Sequence, residues 1–176
     1  MAKTPEAGYP DPVATFMARY HAHFERWAHN RIPAWARPRL DTRQVVSETF
    51  AAVASDITDD APSDGLLLDR VRRSLYERVL HRVQQVARDI AAEAADVTKV
   101  LPLRDAQVEQ DLLQRYEHGL QRLPPRDRDA IIARTELALP WTETAHLLDT
   151  AQPDATRATV SRALVRLARE MAHECP

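Results

Sequence analysis

Arg157, Ser161, Arg162 and Arg166 crowd one stretch near the end of this 176-residue chain. Arg162, Arg166 and Arg169 recur at three- and four-residue spacing, which puts side chains on one face of an α-helix. A guanidinium on such a face can grip a guanine edge with two hydrogen bonds or neutralise a phosphate. Small neighbours let the helix backbone come close to the groove. The chemistry on offer is therefore the reading of duplex DNA, although most arginine faces on amphipathic helices are ordinary solvated surface.

Other chemistries find less support. Three glycines cannot supply a phosphate-cradling loop, and neither GxGxxG nor GxxxxGK[ST] occurs, so an enzyme is not expected. His21, His23 and His29 include a pair two residues apart, which points to different sides of a helix, so no metal is expected there. Asp59, Asp60 and Asp64 lack the ligand density of a calcium loop. No cofactor is expected. Trp27, Trp35 and Trp141 read as packing residues. Cys175 is the single cysteine, which excludes an internal disulfide and fits a reducing compartment. No apolar run approaches the ~18 residues a bilayer needs, and no basic-then-apolar leader opens the chain. A cytoplasmic protein without membrane insertion is expected. The net charge of −2 does not advertise nucleic-acid binding, but the charge is segregated. Residues 154–172 carry Arg157, Arg162, Arg166 and Arg169 against Asp154 and Glu170, whereas residues 56–69 hold five aspartates and no Lys or Arg.

The elements that must position these groups are helical. Twelve prolines with abundant Ala, Arg, Leu and Glu predict an all-α chain of helices separated by breaks. Residues 1–10 read as a disordered lead. A helix over 12–31 is striped by Val13, Phe16, Met17, Tyr20, Phe24 and Trp27. Asp41 or Thr42 caps a second, with Val45, Val46, Thr49, Phe50, Val53 and Ala54 on one side. Residues 55–65 form a loop. A helix of roughly 30 residues follows, carrying Leu68, Val71, Leu75, Val79, Val83, Val86 and Ile90. A linker at 98–104 around Pro102 separates this domain (11–97) from a second (105–176). The second domain opens on a helix striped by Val108, Leu112, Leu113, Tyr116 and Leu120. Pro125 starts the next helix, lined by Ile131, Ile132 and Leu137. The chain ends in a short helix at 142–148, a turn, and a longer helix at 155–172 capped by Asp154. In that helix Val160, Leu164, Leu167 and Met171 face inward. Short helix, turn and longer arginine-bearing helix is the plan of a helix-turn-helix.

In both domains, and in order, the chain resembles the extracytoplasmic-function branch of bacterial sigma factors. Leu123-Pro124-Pro125-Arg126-Asp127-Arg128 is similar to the opening of the family's fourth conserved region. Trp141 to Leu148 is similar to its first helix-turn-helix helix, and Ser161 to Arg169 to the end of its recognition helix. Asp41 to Phe50 resembles the second conserved region. The resemblance covers about residues 12–172 and implies a promoter-specificity subunit without catalytic residues of its own. It implies contact with core RNA polymerase through Asp41, Gln44, Val45, Glu48 and Thr49. It implies contact with the melted minus-ten strand through Ser63, Asp64, Arg72, Arg73, Tyr76 and Arg78. Duplex minus-thirty-five DNA would meet Thr156, Arg157, Ser161, Arg162 and Arg166. An anti-sigma protein clamped between the domains is a further partner the resemblance admits. The chain departs from the pattern where the 55–65 loop is acidic, and where Asp149 replaces the usual turn glycine in a turn about two residues longer. Two alternatives stand beside this reading: a helix-turn-helix regulator acting without polymerase, and a sigma-like subunit recruited by a partner or held as a decoy.

Overall fold

The computed structural model describes residues 12–57, 62–93, 103–150 and 152–172. The secondary structure among these residues is helical throughout, so the protein belongs to the all-α class. The helices are α1 (Pro12–Arg31), α2 (Thr42–Asp56), α3 (Asp64–Glu93), α4 (Leu103–Arg122), α5 (Pro125–Ile131), α6 (Trp141–Leu147) and α7 (Pro153–Ala172). A 3-10 turn at Arg37–Arg39 links α1 to α2, and a π-helical turn, Ile132–Glu136, extends α5. The lead at 1–10, residues 98–102 of the linker, 58–61 of the acidic loop and Cys175 lie outside the described residues. Leu103 and Arg104, expected in the linker, already belong to α4.

Local chemistry fixes the helix starts. The Asp41 carboxylate accepts from the backbone N–H groups of Arg43 at 2.9 Å and Gln44 at 3.3 Å, satisfying donors that the first turn leaves free. Ser63 does the same for α3, accepting from Leu66 N–H at 3.3 Å. Pro125 occupies the first position of α5, where its missing N–H costs nothing.

Two hydrophobic cores form, and their membership does not follow the expected division of the chain. Phe16, Tyr20, Phe24 and Trp27 of α1 pack with Val46 and Phe50 of α2 and with Leu67, Leu68, Val71 and Leu75 of α3. Into this core reach Ile132, Ala133, Leu137 and Leu139, all from the second half and all almost fully buried. Burying an aliphatic or aromatic side chain of this size is worth about 1.5–3 kcal/mol, so the two halves are joined by substantial apolar contact. The second core gathers Leu120, Leu123, Ile131, Leu148, Val160, Ala163 and Leu167. Its tightest approach is at Gly119, where a Cβ would stand 2.9 Å from Leu167 Cδ1, so α4 and α7 meet almost backbone to side chain.

Three expected core positions face outward: Ala54, Leu112 and Leu164, the last 41 % exposed. On α7 the inward line runs through Val160, Ala163 and Leu167, so the small alanine takes the place expected for Leu164. An alanine there lets α7 sit closer to its neighbours than a leucine would.

Candidate nucleic-acid interface

The last two helices meet as a helix-turn-helix unit. Pro140 precedes α6, and buried Thr144 donates its hydroxyl to Pro140 O at 3.0 Å. The turn passes through Asp149 at φ 49°, the left-handed region where the glycine of a shorter turn would stand. Asp tolerates that region better than most side chains. Backbone bonds from Asp149 N–H to His146 O and from Thr150 N–H to Ala145 O close it. The extra residues are absorbed by a hydroxyl contact of 2.6 Å between Thr150 and Thr156.

This geometry corrects two expectations. Thr156 is fully buried and holds the turn, so it presents no hydroxyl to DNA. Asp154 lies inside the first turn of α7, which begins at Pro153, and stands 3.6 Å from Arg157 instead of capping the helix. Arg157, Ala158, Ser161, Arg162, Val165 and Arg169 are exposed on α7. The Arg162 head group rests on its own helix, against Ala158 O at 3.3 Å and Thr159 Oγ1 at 3.4 Å. Arg166 is 53 % exposed but pairs with Asp127 of α5, so its charge is already partly spent within the protein. Sequence reasoning missed Arg134, whose guanidinium lies 4.3 Å from the centroid of the Trp141 ring while Arg157 lies 5.5 Å from it. The aromatic start of α6 is thus flanked by two cations.

The set assigned to polymerase divides in two. Asp41 and Gln44 are exposed and Glu48 half-exposed, forming the polar stripe that their spacing predicts. Val45 and Thr49 are buried, with the Thr49 hydroxyl donating to Val45 O at 2.7 Å, so they support the stripe from behind and cannot touch a partner. Gln44 Nε2 donates to Glu48 at 2.9 Å, and Arg82 of α3 reaches the same carboxylate at 3.2 Å. These bonds hold the Glu48 carboxyl below its ordinary pKa. Arg78, assigned to DNA, lies 3.6 Å from Glu48, so one cluster joins two sets that the sequence kept apart.

The minus-ten set scatters more widely. Ser63 caps α3, and Asp64 stands 3.5 Å from Arg19. Arg73 is exposed and bonds Asp69 at 2.6 Å. Tyr76 is half-buried against the first core. Arg72 is 2 % exposed and lies between the halves, which removes it from any surface a DNA strand could meet here. Its Nε donates to both oxygens of Glu136, at 2.9 and 3.1 Å, and its terminal nitrogen bonds Glu117.

Glu136 is the residue that sequence reasoning passed over. Its carboxylate is 3 % exposed and accepts from Trp27 Nε1 at 2.6 Å, Arg31 at 3.3 Å and the Tyr116 hydroxyl at 2.9 Å as well as from Arg72. Arg31 stacks 3.9 Å over the Trp27 ring. Burial opposes the Arg72 charge, but Glu136 and Glu117 outweigh it and raise its pKa, whereas burial lowers that of Arg31. Burial and the Glu136 charge both push the Tyr116 phenol up, keeping its proton in place. The π-turn delivers the carboxylate: Leu137 N–H reaches back five residues to Ile132 O, and Ala138 at φ 51° turns the chain so that Leu139 N–H bonds Ala133 O. A single acid set between Ile132 and Leu137 in an otherwise apolar stretch was the available signal.

Flanking contacts extend the seam. His23 Nδ1 lies 3.0 Å from Leu137 O, and Arg128 lies 3.5 Å from Asp69. Asp129 packs over Gly65; burial pushes its carboxyl up to about 6, with Arg128 opposing and Asp69 adding to the shift. Among the described residues no group of three His, Cys, Asp or Glu could hold a metal, and no helix is long and apolar enough to cross a membrane. His21 instead pairs with Glu25 at 3.5 Å and meets Phe50 edge-on. Compared with known proteins, the chain matches no family model, no curated protein and no solved structure.

Proposed function

We propose that the chain is an alternative sigma factor, a non-catalytic subunit that directs bacterial RNA polymerase to specific promoters. The observation that carries the reading is the α6–α7 unit. It pairs a helix-turn-helix connection, left-handed at Asp149, with an exposed α7 face bearing Arg157, Ser161 and Arg162. A recognition helix docks in the major groove by its N-terminal residues, and that end of α7 holds these three side chains. The Trp141 ring, with Arg134 and Arg157 against it, adds two cations beside the same end, suited to flanking phosphates. The exposed Asp41–Gln44–Glu48 stripe on α2 is the surface offered to polymerase.

The test is transcription from a promoter library with purified core polymerase and the full chain. The expected result is chain-dependent initiation at a shared upstream motif, together with co-purification of core polymerase. A chain that binds duplex sites but never associates with core polymerase is a stand-alone regulator instead. One observation favours a second reading, a sigma-like subunit needing a partner before it engages melted DNA. Arg72 is buried, and Tyr76 is half-covered.

A further inference from the structure

Trp27, Arg31 and Arg72 belong to the first half of the chain; Tyr116, Glu117 and Glu136 belong to the second. Two guanidiniums on one side meet two carboxylates on the other, and the seam is charge-balanced only while the halves touch. Separating them carries away both carboxylates and leaves Arg31 and Arg72 side by side with the Trp27 N–H. Two such cations cannot stay in a partly apolar surface without a counter-charge. The first half therefore carries an anion receptor, and Glu136 is its resident occupant.

We propose that this receptor takes a phosphate of single-stranded nucleic acid when the halves part, and that Glu136, by filling it, holds the chain in a closed, non-binding state. The proposal rests on the promoter-binding reading for the identity of the competing anion. Three observations favour a nucleic-acid strand over an acidic protein segment. The Trp27 ring adjoins the receptor, with Arg31 stacked on it at 3.9 Å. Tyr76 stands near enough for Glu117, Arg31 and Arg72 to act on its phenol. Arg73 and Arg78 continue along the same helix. Aromatic rings interleaved with cations along one surface are what a single strand uses, stacking its bases and neutralising its backbone. Closure is also favoured by Ile132, Leu137 and Leu139, which lose their burial if the halves separate.

Two variants of the full chain test this. Glu136→Gln removes the charge while keeping the shape. A cross-link does the opposite: a Cβ at Gly65 would fall 3.3 Å from Asp129 Cγ, so cysteines at both positions, in a Cys175→Ser background, are within disulfide reach. The probe is a labelled single-stranded DNA oligonucleotide, followed by anisotropy at two salt concentrations, with small-angle scattering to report separation of the halves. Glu136→Gln is expected to expand the molecule and bind at least about tenfold more tightly, the gain that follows if closed chains outnumber open ones tenfold. The oxidised cross-link is expected to abolish binding, and reductant to restore it. Unchanged affinity in Glu136→Gln, or an oxidised cross-link that binds as well as the reduced form, overturns the proposal. So does a gain in affinity for core polymerase with none for the oligonucleotide, because the receptor then meets a protein carboxylate. If the wild-type chain never associates with core polymerase while Glu136→Gln still gains oligonucleotide affinity, the sigma reading fails and the closed state stands.

Discussion

Arg72 and Arg162 sit on long amphipathic helices whose arginine stripes read alike, yet one is sealed between the halves and the other projects into solvent. The difference lies in what approaches each helix. α7 packs on α4 and α5 through Val160, Ala163 and Leu167, and nothing described covers its opposite face. α3 is approached by the π-turn, whose carboxylate finds Arg72 and converts a surface cation into half of a buried pair. An arginine therefore declares its role through the acids that reach it across the fold more than through its own spacing.

The comparison breaks most sharply if Arg72 can be removed cheaply. Arg72→Ala leaves Glu136 and Glu117 buried without their main counter-charge and is expected to cost about 3–5 kcal/mol in denaturant unfolding. Replacing Arg72, Glu136 and Glu117 together with apolar residues of similar volume should recover most of that loss. A cost below about 1 kcal/mol for the single change would mean that the seam is wet and open. On the other helix the same truncation should leave stability almost untouched. Arg162→Ala is expected to lose about 1–3 kcal/mol of discrimination at one base position, measured by binding to a duplex library. Arg166→Ala, whose partner Asp127 already holds it, should weaken all sequences slightly and alike.

A smaller effect comes from Asp129. Its folded pKa of about 6 lies above the ordinary carboxyl value, so the folded state binds the proton more tightly than the unfolded chain does. Stability from this group is fully present at pH below about 4 and is lost as pH rises toward 6. Allowing for solvent screening, the loss is roughly 1–2 kcal/mol. Asp129→Asn should flatten that slope in unfolding measured across pH 4–6. Smallest is the strain at Ala138, held at φ 51°. Ala138→Gly is expected to raise stability by about 0.5–1 kcal/mol, relief of the left-handed penalty exceeding the added chain entropy.

Much of the fold was legible because it is written in short-range chemistry. The stripes of α1 and α3, the cap at Asp41 and the proline start of α5 depend on neighbours three or four residues away, and each lies where periodicity places it. The helix-turn-helix was legible for the same reason. The seam was not, because Glu136 meets Trp27 109 residues away and Arg72 64 residues away. No local pattern distinguishes an acid that will find such partners from one that will face water. Thr156 failed in the same way: its hydroxyl is consumed by Thr150 across a turn whose extra residues hid the pairing. Leu164 failed because the inward line on α7 uses an alanine, which hydrophobicity alone ranks below its leucine neighbour.

The π-turn at Ile132–Glu136 also acts as a phase shifter. Each α-helical residue advances the chain by about 100° around its axis, so a turn reaching back five residues instead of four carries one residue more than regular winding allows. Deleting any one residue between 132 and 136 would restore α-helical winding without shortening the helix by a full turn. It would also rotate everything beyond it out of register. Glu136 or its replacement would swing away from Arg72, while Leu137 and Leu139 would leave the first core together. Such a length change would uncouple the halves without altering the chemistry of either, which gives insertions and deletions at this turn a leverage that point substitutions elsewhere in the chain lack.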